Sequence, residues 1–215
     1  MKKSTRSILR DYGLTILSAV VIAFFLRTYV IEAYRISNFL MKPTLLAGDT
    51  LFVEKWPFSF KKGLPERGDV VVYSGTLKNS PGSSDFIRRV IGLPGDEVAI
   101  KGGHVILNGK LLSPKWPDDS MKDSEVLPNG RDFSISVPPP LMQNFGPERV
   151  AEGMVFVLGD CRTQLEGKQK KNWSMVPIAA LKGKALWIWL SVDTPSGDSP
   201  WLPHFRLNRM FRRIL

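Results

Sequence analysis

FIRRVIGLPGDEVAI, Phe86–Ile100, reads as strand, turn, strand. Phe86–Ile91 is rich in aromatic and branched side chains, which fit a pleated, half-buried surface. Gly92-Leu93-Pro94-Gly95-Asp96 combines residues that favour turns, and Glu97–Ile100 resumes the strand. The same alternation extends both ways. Upstream, Thr50–Lys55 follows Gly48-Asp49, and Asp69–Tyr73 follows the turn Pro65-Glu66-Arg67-Gly68. Arg67-Gly68-Asp69 matches an integrin-binding triplet, but ahead of a run of valines it reads as a plain turn. Downstream, His104–Leu107 meets Asn108-Gly109, a pair that accepts the positive φ angles of a type I′ hairpin. Val155–Leu158 and Ala185–Leu190 are apolar enough to be core strands. Between Ser113 and Glu148 the chain is rich in Pro, Asp, Ser and Gly, including Pro138-Pro139-Pro140. That stretch reads as an inserted, loop-rich lobe of about 113–148. Sixteen prolines and eighteen glycines suit a turn-rich β body better than a helix bundle. The expected class is mainly β, with one N-terminal helix ahead of it.

That helix starts from a basic end. Lys2, Lys3, Arg6 and Arg10 lie within residues 1–11, and Tyr12–Leu26 is uncharged (YGLTILSAVVIAFFL). Arg27 interrupts before Thr28–Ile31 continues in the same character. Residues 12–31 are long enough to cross a bilayer if Arg27 snorkels to the interface. The basic cluster predicts a cytoplasmic N-terminus, with residues 32–215 on the outer or periplasmic side of a bacterial cytoplasmic membrane. A cleaved signal peptide is the rival, but Ile31-Glu32-Ala33-Tyr34-Arg35 is a poor small-x-small cleavage site.

The 215 residues include 30 Lys and Arg against 20 Asp and Glu, a net charge of +10. A polyanionic partner follows, either nucleic acid or anionic lipid. No zinc-finger spacing, helix-turn-helix pattern or RNP-like motif supports nucleic acid. Membrane lipid is the expected partner. A single cysteine, Cys161, excludes an intramolecular disulfide, and it reads as an inert core or loop residue rather than a nucleophile. His104 and His204 lie outside any metal-ligand pattern, and neither cofactor nor metal is expected.

Five blocks in order carry a resemblance. They are Leu26-Arg27-Thr28-Tyr29-Val30-Ile31-Glu32; Met41-x-Pro43-Thr44-Leu45 with Gly48-Asp49; Arg67-Gly68-Asp69-Val70-Val71; Arg89-Val90-Ile91-Gly92-Leu93-Pro94-Gly95-Asp96; and Gly159-Asp160-x-Arg162. Trp173, Val176-Pro177, Lys182-Gly183-x-Ala185 and Ile188-Trp189-Leu190-Ser191 continue it. Together they resemble the type I signal peptidase family over most of the chain outside 113–148. The resemblance implies a mostly β body that removes signal peptides from exported proteins with a Ser/Lys dyad. The serine attacks the scissile carbonyl and a neutral, partly buried lysine takes its proton.

Both dyad positions have changed. The family serine precedes the Met of Met41-x-Pro43, where this chain has Leu40. The family lysine precedes Arg89, where this chain has Arg88, a guanidinium that is never deprotonated at working pH. Asn38 stands where the family often has a hydroxyl that helps form the oxyanion hole, and its amide is expected to donate there. Leu165 stands where a serine would orient the lysine. Ser37 is weighed as a relocated nucleophile with Lys42 or Lys55, and is read as an ordinary strand or turn residue. Arg88 is expected to be held by Asp160 or by carbonyl groups, since a bare buried charge is costly. Phe39, Leu40, Met41, Ile87 and Arg88 are expected to line a groove that takes an extended peptide by strand addition, between a Met41 strand and the Arg88 strand. The expected function is a membrane-anchored homologue without the dyad that binds signal peptides or membrane-anchored precursors without cleaving them, and an active paralogue is a further expected partner. The alternative is an active type I signal peptidase with relocated catalytic residues.

Overall fold

The chain enters its β body from an apolar helix. The computed structural model describes residues 5–55, 64–76, 83–112, 114–115, 122–137, 144–162, 172–193 and 204–214. Helix α1 (Thr5–Phe25) widens into a π-helical turn over Leu26–Val30. Tyr12–Val30 has a mean hydropathy of 1.9 and none of it is buried, so it is long and apolar enough to cross a membrane. Ile31 leaves the helix to begin a strand.

Among the described residues, sixteen strands follow: β1 (Ile31–Arg35), β2 (Asp49–Glu54), β3 (Val70–Thr76), β4 (Ser83–Gly92), β5 (Glu97–Lys101), β6 (His104–Leu107), β7 (Lys110–Leu111), β8 (Pro114–Lys115), β9 (Lys122–Val126), β10 (Asp132–Ser136), β11 (Phe145–Arg149), β12 (Met154–Leu158), β13 (Trp173–Pro177), β14 (Leu181–Asp193), β15 (His204–Phe205) and β16 (Arg212–Arg213). The main sheet runs β1-β2-β14-β3-β4-β12-β13, with β15 and β16 also paired to β14. A second sheet runs β11-β5-β6-β7 and a third β10-β9-β8. The fold is mainly β behind one N-terminal apolar helix, as the alternation of strand and turn predicts. Within the stretch read as loop-rich, β9 and β10 pair from Asp132↔Val126 to Ser136↔Lys122.

The local signals act where the residues put them. Asn108 (φ 50°) and Gly109 (φ 75°) make the tight turn between β6 and β7, with Leu107 opposite Lys110. In the turn after β4, the Leu93 N–H donates to Asp96 Oδ2 at 2.7 Å, and Arg67 Nη1 lies 2.8 Å from the same oxygen. The Arg67-Gly68-Asp69 turn is closed to a receptor, because Asp69 is 4% exposed and paired with Arg131 and Lys184.

Asp96 gives a pH-dependent prediction. Burial raises its carboxyl, but hydrogen bonds from Arg67, Asn108 and the Leu93 N–H outweigh burial and leave it below its ordinary value. Its contribution is therefore present above the unfolded pKa of about 3.9 and lost as pH falls through the lower folded value. Asp96→Asn is expected to cost about 1 kcal/mol at neutral pH. Urea melts of the two proteins should converge as the pH falls below that window, and a gap that persists there would contradict the assignment.

Among the described residues, three buried apolar clusters fill the body. Ile91, Val98, Ile100, Leu107, Phe133 and Phe156 belong to one. Met41, Leu45, Leu51, Val70, Val72 and Ile188 belong to the second. Val71, Tyr73, Val90, Val157 and Leu181 belong to the third. The two faces of β3 and β4 thus serve different cores.

Residues 204–214 are tied to the start of the body through a buried carboxylate. Asp49 is fully buried, accepts from Ser191 Oγ at 2.6 Å, and pairs with Arg209 Nη2 at 2.6 Å. Arg206 Nε donates to the same Ser191 hydroxyl at 2.8 Å, and its Nη2 reaches the Ala47 carbonyl at 2.6 Å. The block Gly48-Asp49 marked the carboxylate in the sequence, but nothing there identified its arginines.

Candidate functional site

Residues 38–45 turn instead of extending. The expected strand through Met41 is replaced by bonds from Lys42 N to Phe39 O (3.0 Å) and from Leu45 N to Met41 O (2.8 Å). Two residues dictate this. The Leu40 N–H is taken by Asn38 Oδ1 at 3.2 Å, a local side-chain bond that competes with a sheet ladder, and Pro43 has no N–H to give one. The Asn38 carboxamide oxygen accepts from the backbone at Leu40, a bond that leaves free of it the NH2 group that the sequence suggested as a donor toward a substrate oxygen.

The residues assigned to the groove divide between inside and outside. Leu40 (2% exposed) and Met41 (1%) are buried, whereas Phe39 is 47% exposed. Met41 belongs to the second core cluster and Ile87 packs against it. Ser37 is exposed, and Lys55 is engaged with Glu32 at 3.2 Å. Leu165 lies outside the described residues.

Strand β4 carries two consecutive arginines with opposite fates. Successive side chains point to opposite faces of a sheet. Arg89 is 1% exposed, and its Nε and Nη2 grip Asp160 at 2.9 and 2.8 Å. Its Nη1 donates to the Gly68 carbonyl at 2.8 Å, and its guanidinium lies 4.3 Å above the Phe133 ring. Thr44 Oγ1 completes the carboxylate with a 2.5 Å bond to Asp160 Oδ2. A cavity of about 360 Å³ opens on this face, lined by Thr44, Arg89, Phe133 and Arg209 among others. It lies across β4 from Arg88.

Asp160 is thus the partner of Arg89 and not, as expected, of Arg88. Arg88 sits opposite Val71 on the face of the third cluster, 4% exposed. Among the described residues it has one hydrogen bond, from Nη1 to the carbonyl of the preceding Ile87 at 2.7 Å. Carbonyl support was the other half of the expectation and is present. Burial lowers the guanidinium from its ordinary value, while the nearby Tyr73 and Asp160 act in the opposite direction. An arginine starts so high that it stays charged at neutral pH.

The segment 159–162 joins these positions. The Cys161 N–H donates to the Leu40 carbonyl at 3.1 Å, immediately after Asp160. Cys161 is 6% exposed, in keeping with an inert core residue. A Cβ on Gly159 would collide with the Asn172 carboxamide, which donates to the Cys161 carbonyl. Arg162 is buried against Glu125 of β9, with Nη1–Oε1 2.9 Å and Nη2–Oε2 2.5 Å. The sequence marked Arg162 in its block, but its partner lay in the stretch read as loop.

The family model for signal peptidase, peptidase S26, matches residues 9–190. The chain belongs to this family. "Probable signal peptidase I-2" of Synechocystis sp. is 36% identical over 177 residues, covering 81% of this chain and 70% of that protein. "Signal peptidase I P" of Bacillus subtilis subsp. natto is 33% identical over 161 residues, covering 75% and 78%. A solved signal peptidase I from Enterococcus faecalis aligns at 23% identity and a TM-score of 0.33, covering 57% of this chain and 97% of that one. Signal peptidase membership gives Leu40 and Arg88 their interest: they immediately precede Met41 and Arg89 in two of this chain's sequence blocks.

Proposed function

We propose that this signal peptidase homologue binds signal peptides or membrane-anchored precursor polypeptides without cleaving them. Residues 12–31 anchor it, with residues 1–11 in the cytoplasm and residues 32–215 outside, and Phe39, Leu40, Met41, Ile87 and Arg88 mark its peptide groove. The single observation that carries the reading is Arg88, a buried guanidinium at the position of the family's general base. It cannot accept a proton from a hydroxyl, and Leu40, at the position of the family's nucleophile, offers no hydroxyl. Supporting this, no lysine is buried among the residues whose side chains are described, so none is desolvated enough to serve as a neutral base. The basic N-terminal cluster supports the orientation.

The test combines binding with turnover. Membranes washed at alkaline pH should retain the chain. The purified full-length protein in detergent micelles should crosslink to a precursor bearing a signal peptide and release no mature product. Soluble recovery would remove the anchor from the proposal, and cleavage that survives Ser37→Ala would replace it with the alternative of relocated chemistry.

A further inference from the structure

The cavity across β4 from Arg88 is built from separate parts of the chain. Thr44 and the buried Arg89 contribute to its wall, Ser124 and Ser134 stand opposite each other in the β9–β10 ladder, and Arg209, Arg212 and Arg213 come from the closing segment. Its volume of about 360 Å³ falls within the range of about 300–1,000 Å³ that small-molecule sites occupy.

Charge in this cavity is unevenly matched. Two of its arginines are already neutralised, Arg89 by Asp160 and Arg209 by Asp49. Arg212 and Arg213 are exposed, and among the described residues no hydrogen bond or ion pair holds either guanidinium. Both line the cavity, so they stand at its solvent side. Asp132 also lines it, and its carboxylate has no such partner among the described residues. Two uncommitted cations thus outnumber one uncommitted acid in a recess, where low-dielectric walls focus the field on a small anion. The Asp49 clamp does not need this pair, since Arg206 and Arg209 close it.

We propose that the cavity binds a phosphate ester, with Arg212 and Arg213 on the phosphate oxygens and Asp132 on a hydroxyl or ammonium of the esterified group. A tetrahedral oxoanion offers oxygens in several directions, which suits donors arriving from separate elements. A carboxylate is planar and is completed by one guanidinium fork, as Asp160 is by Arg89. Bare phosphate would leave much of the volume unfilled and would set Asp132 against a charge of its own sign. An ester fills the space and gives that carboxylate a donor. The site lies apart from the proposed peptide groove and does not depend on it.

Two sources carry this chemistry, a phospholipid headgroup and a soluble phosphate ester. Arg213 pairs with Trp187, Trp187 with Phe52, and Phe52 with Ala33, two residues beyond Ile31 where the apolar helix gives way to β1. That row is about 7 Å along the strand direction from the end of the helix, close enough to meet headgroups when residues 12–31 span a bilayer.

Full-length protein in non-ionic micelles is titrated calorimetrically with glycerophosphoglycerol, and in parallel with phosphatidylglycerol doped into the same micelles. Salt is kept at about 0.15 M so that scattered surface charges are screened. Saturable binding is expected, and the arm in which it is tighter names the source. Arg212→Gln/Arg213→Gln should weaken it about 10- to 100-fold, the range for charge-assisted hydrogen bonds. Ser134→Trp fills the cavity from an exposed position and keeps every charge, and it should weaken binding about 10-fold or more. Lys110→Gln/Arg149→Gln removes the same charge from exposed positions on the second sheet and should stay within about twofold of the unmodified protein. Melts without ligand should agree across these proteins, because none of the five residues is buried. No saturable binding in either arm overturns the inference. An equal loss in the Lys110/Arg149 variant also overturns it, since net charge alone would then explain the binding. Unchanged binding in Ser134→Trp overturns the cavity as the site. Inorganic phosphate binding as tightly as glycerophosphoglycerol overturns the assignment to an ester.

Discussion

Asp160→Asn is expected to lower the stability of the body by about 3 to 5 kcal/mol, the cost of leaving a buried guanidinium uncompensated. Arg89 and Asp160 side chains are each 1% exposed and meet in a bidentate pair. The isosteric amide keeps the volume but presents one neutral acceptor to a charge that cannot neutralise itself. For a body of this size the midpoint of thermal unfolding should drop by about 6 to 20 °C. The double variant Arg89→Met/Asp160→Leu should lose less than the sum of its single changes, because replacing both charges removes the stranded one. Thermal melts in micelles that show additive losses would mean that the pair does not act as a unit.

Restoring the family's dyad should produce activity only in steps. Leu40→Ser alone is expected to cleave no precursor, since Arg88, at the family's base position, accepts no proton from a hydroxyl. General-base assistance is worth about 10²- to 10⁴-fold, and Arg88→Lys supplies it in principle. The double variant should still be weak, because the N–H at position 40 is occupied by Asn38 Oδ1. Changing Asn38→Ser as well frees that N–H and adds a hydroxyl. The triple variant should gain about 10²-fold over the double, as oxyanion donors do. Time courses of precursor cleavage measure each step. A triple variant no faster than the double would show that Asn38 does not block the site.

The strands were legible wherever composition and turn chemistry agreed. Phe86–Ile91, Glu97–Ile100 and Asn108-Gly109 behave as their side chains dictate, because branched residues need a pleat and positive φ needs Asn or Gly. Residues 38–45 misled because the decisive bond is from one backbone N–H to a side chain two residues away. Ile31 read as the end of an apolar run, but pairing with Glu54 draws it into β1. The positions of Leu40 and Arg88 were legible from block alignment. Their partners were not, because Arg88 and Arg89 occupy opposite faces of β4 and only the tertiary fold decides which face meets Asp160. Glu125 was hidden for a similar reason: a single acidic residue among many polar ones carries no local sign of burial.

The Asp49 clamp sets an order of events during synthesis. Asp49 leaves the ribosome early, yet the guanidinium that neutralises it belongs to Arg209, 160 positions later. Strand β2 likewise waits for β14 to supply its central neighbour, with Asp49 opposite Ser191. Until then the nascent chain carries an unpaired acid and an open strand edge beside an apolar helix. Exposed apolar surface and an open strand edge make such an intermediate prone to misassociation. The clamp also makes residues 204–214 a poor place for a bulky insertion, since they hold the arginines that close it.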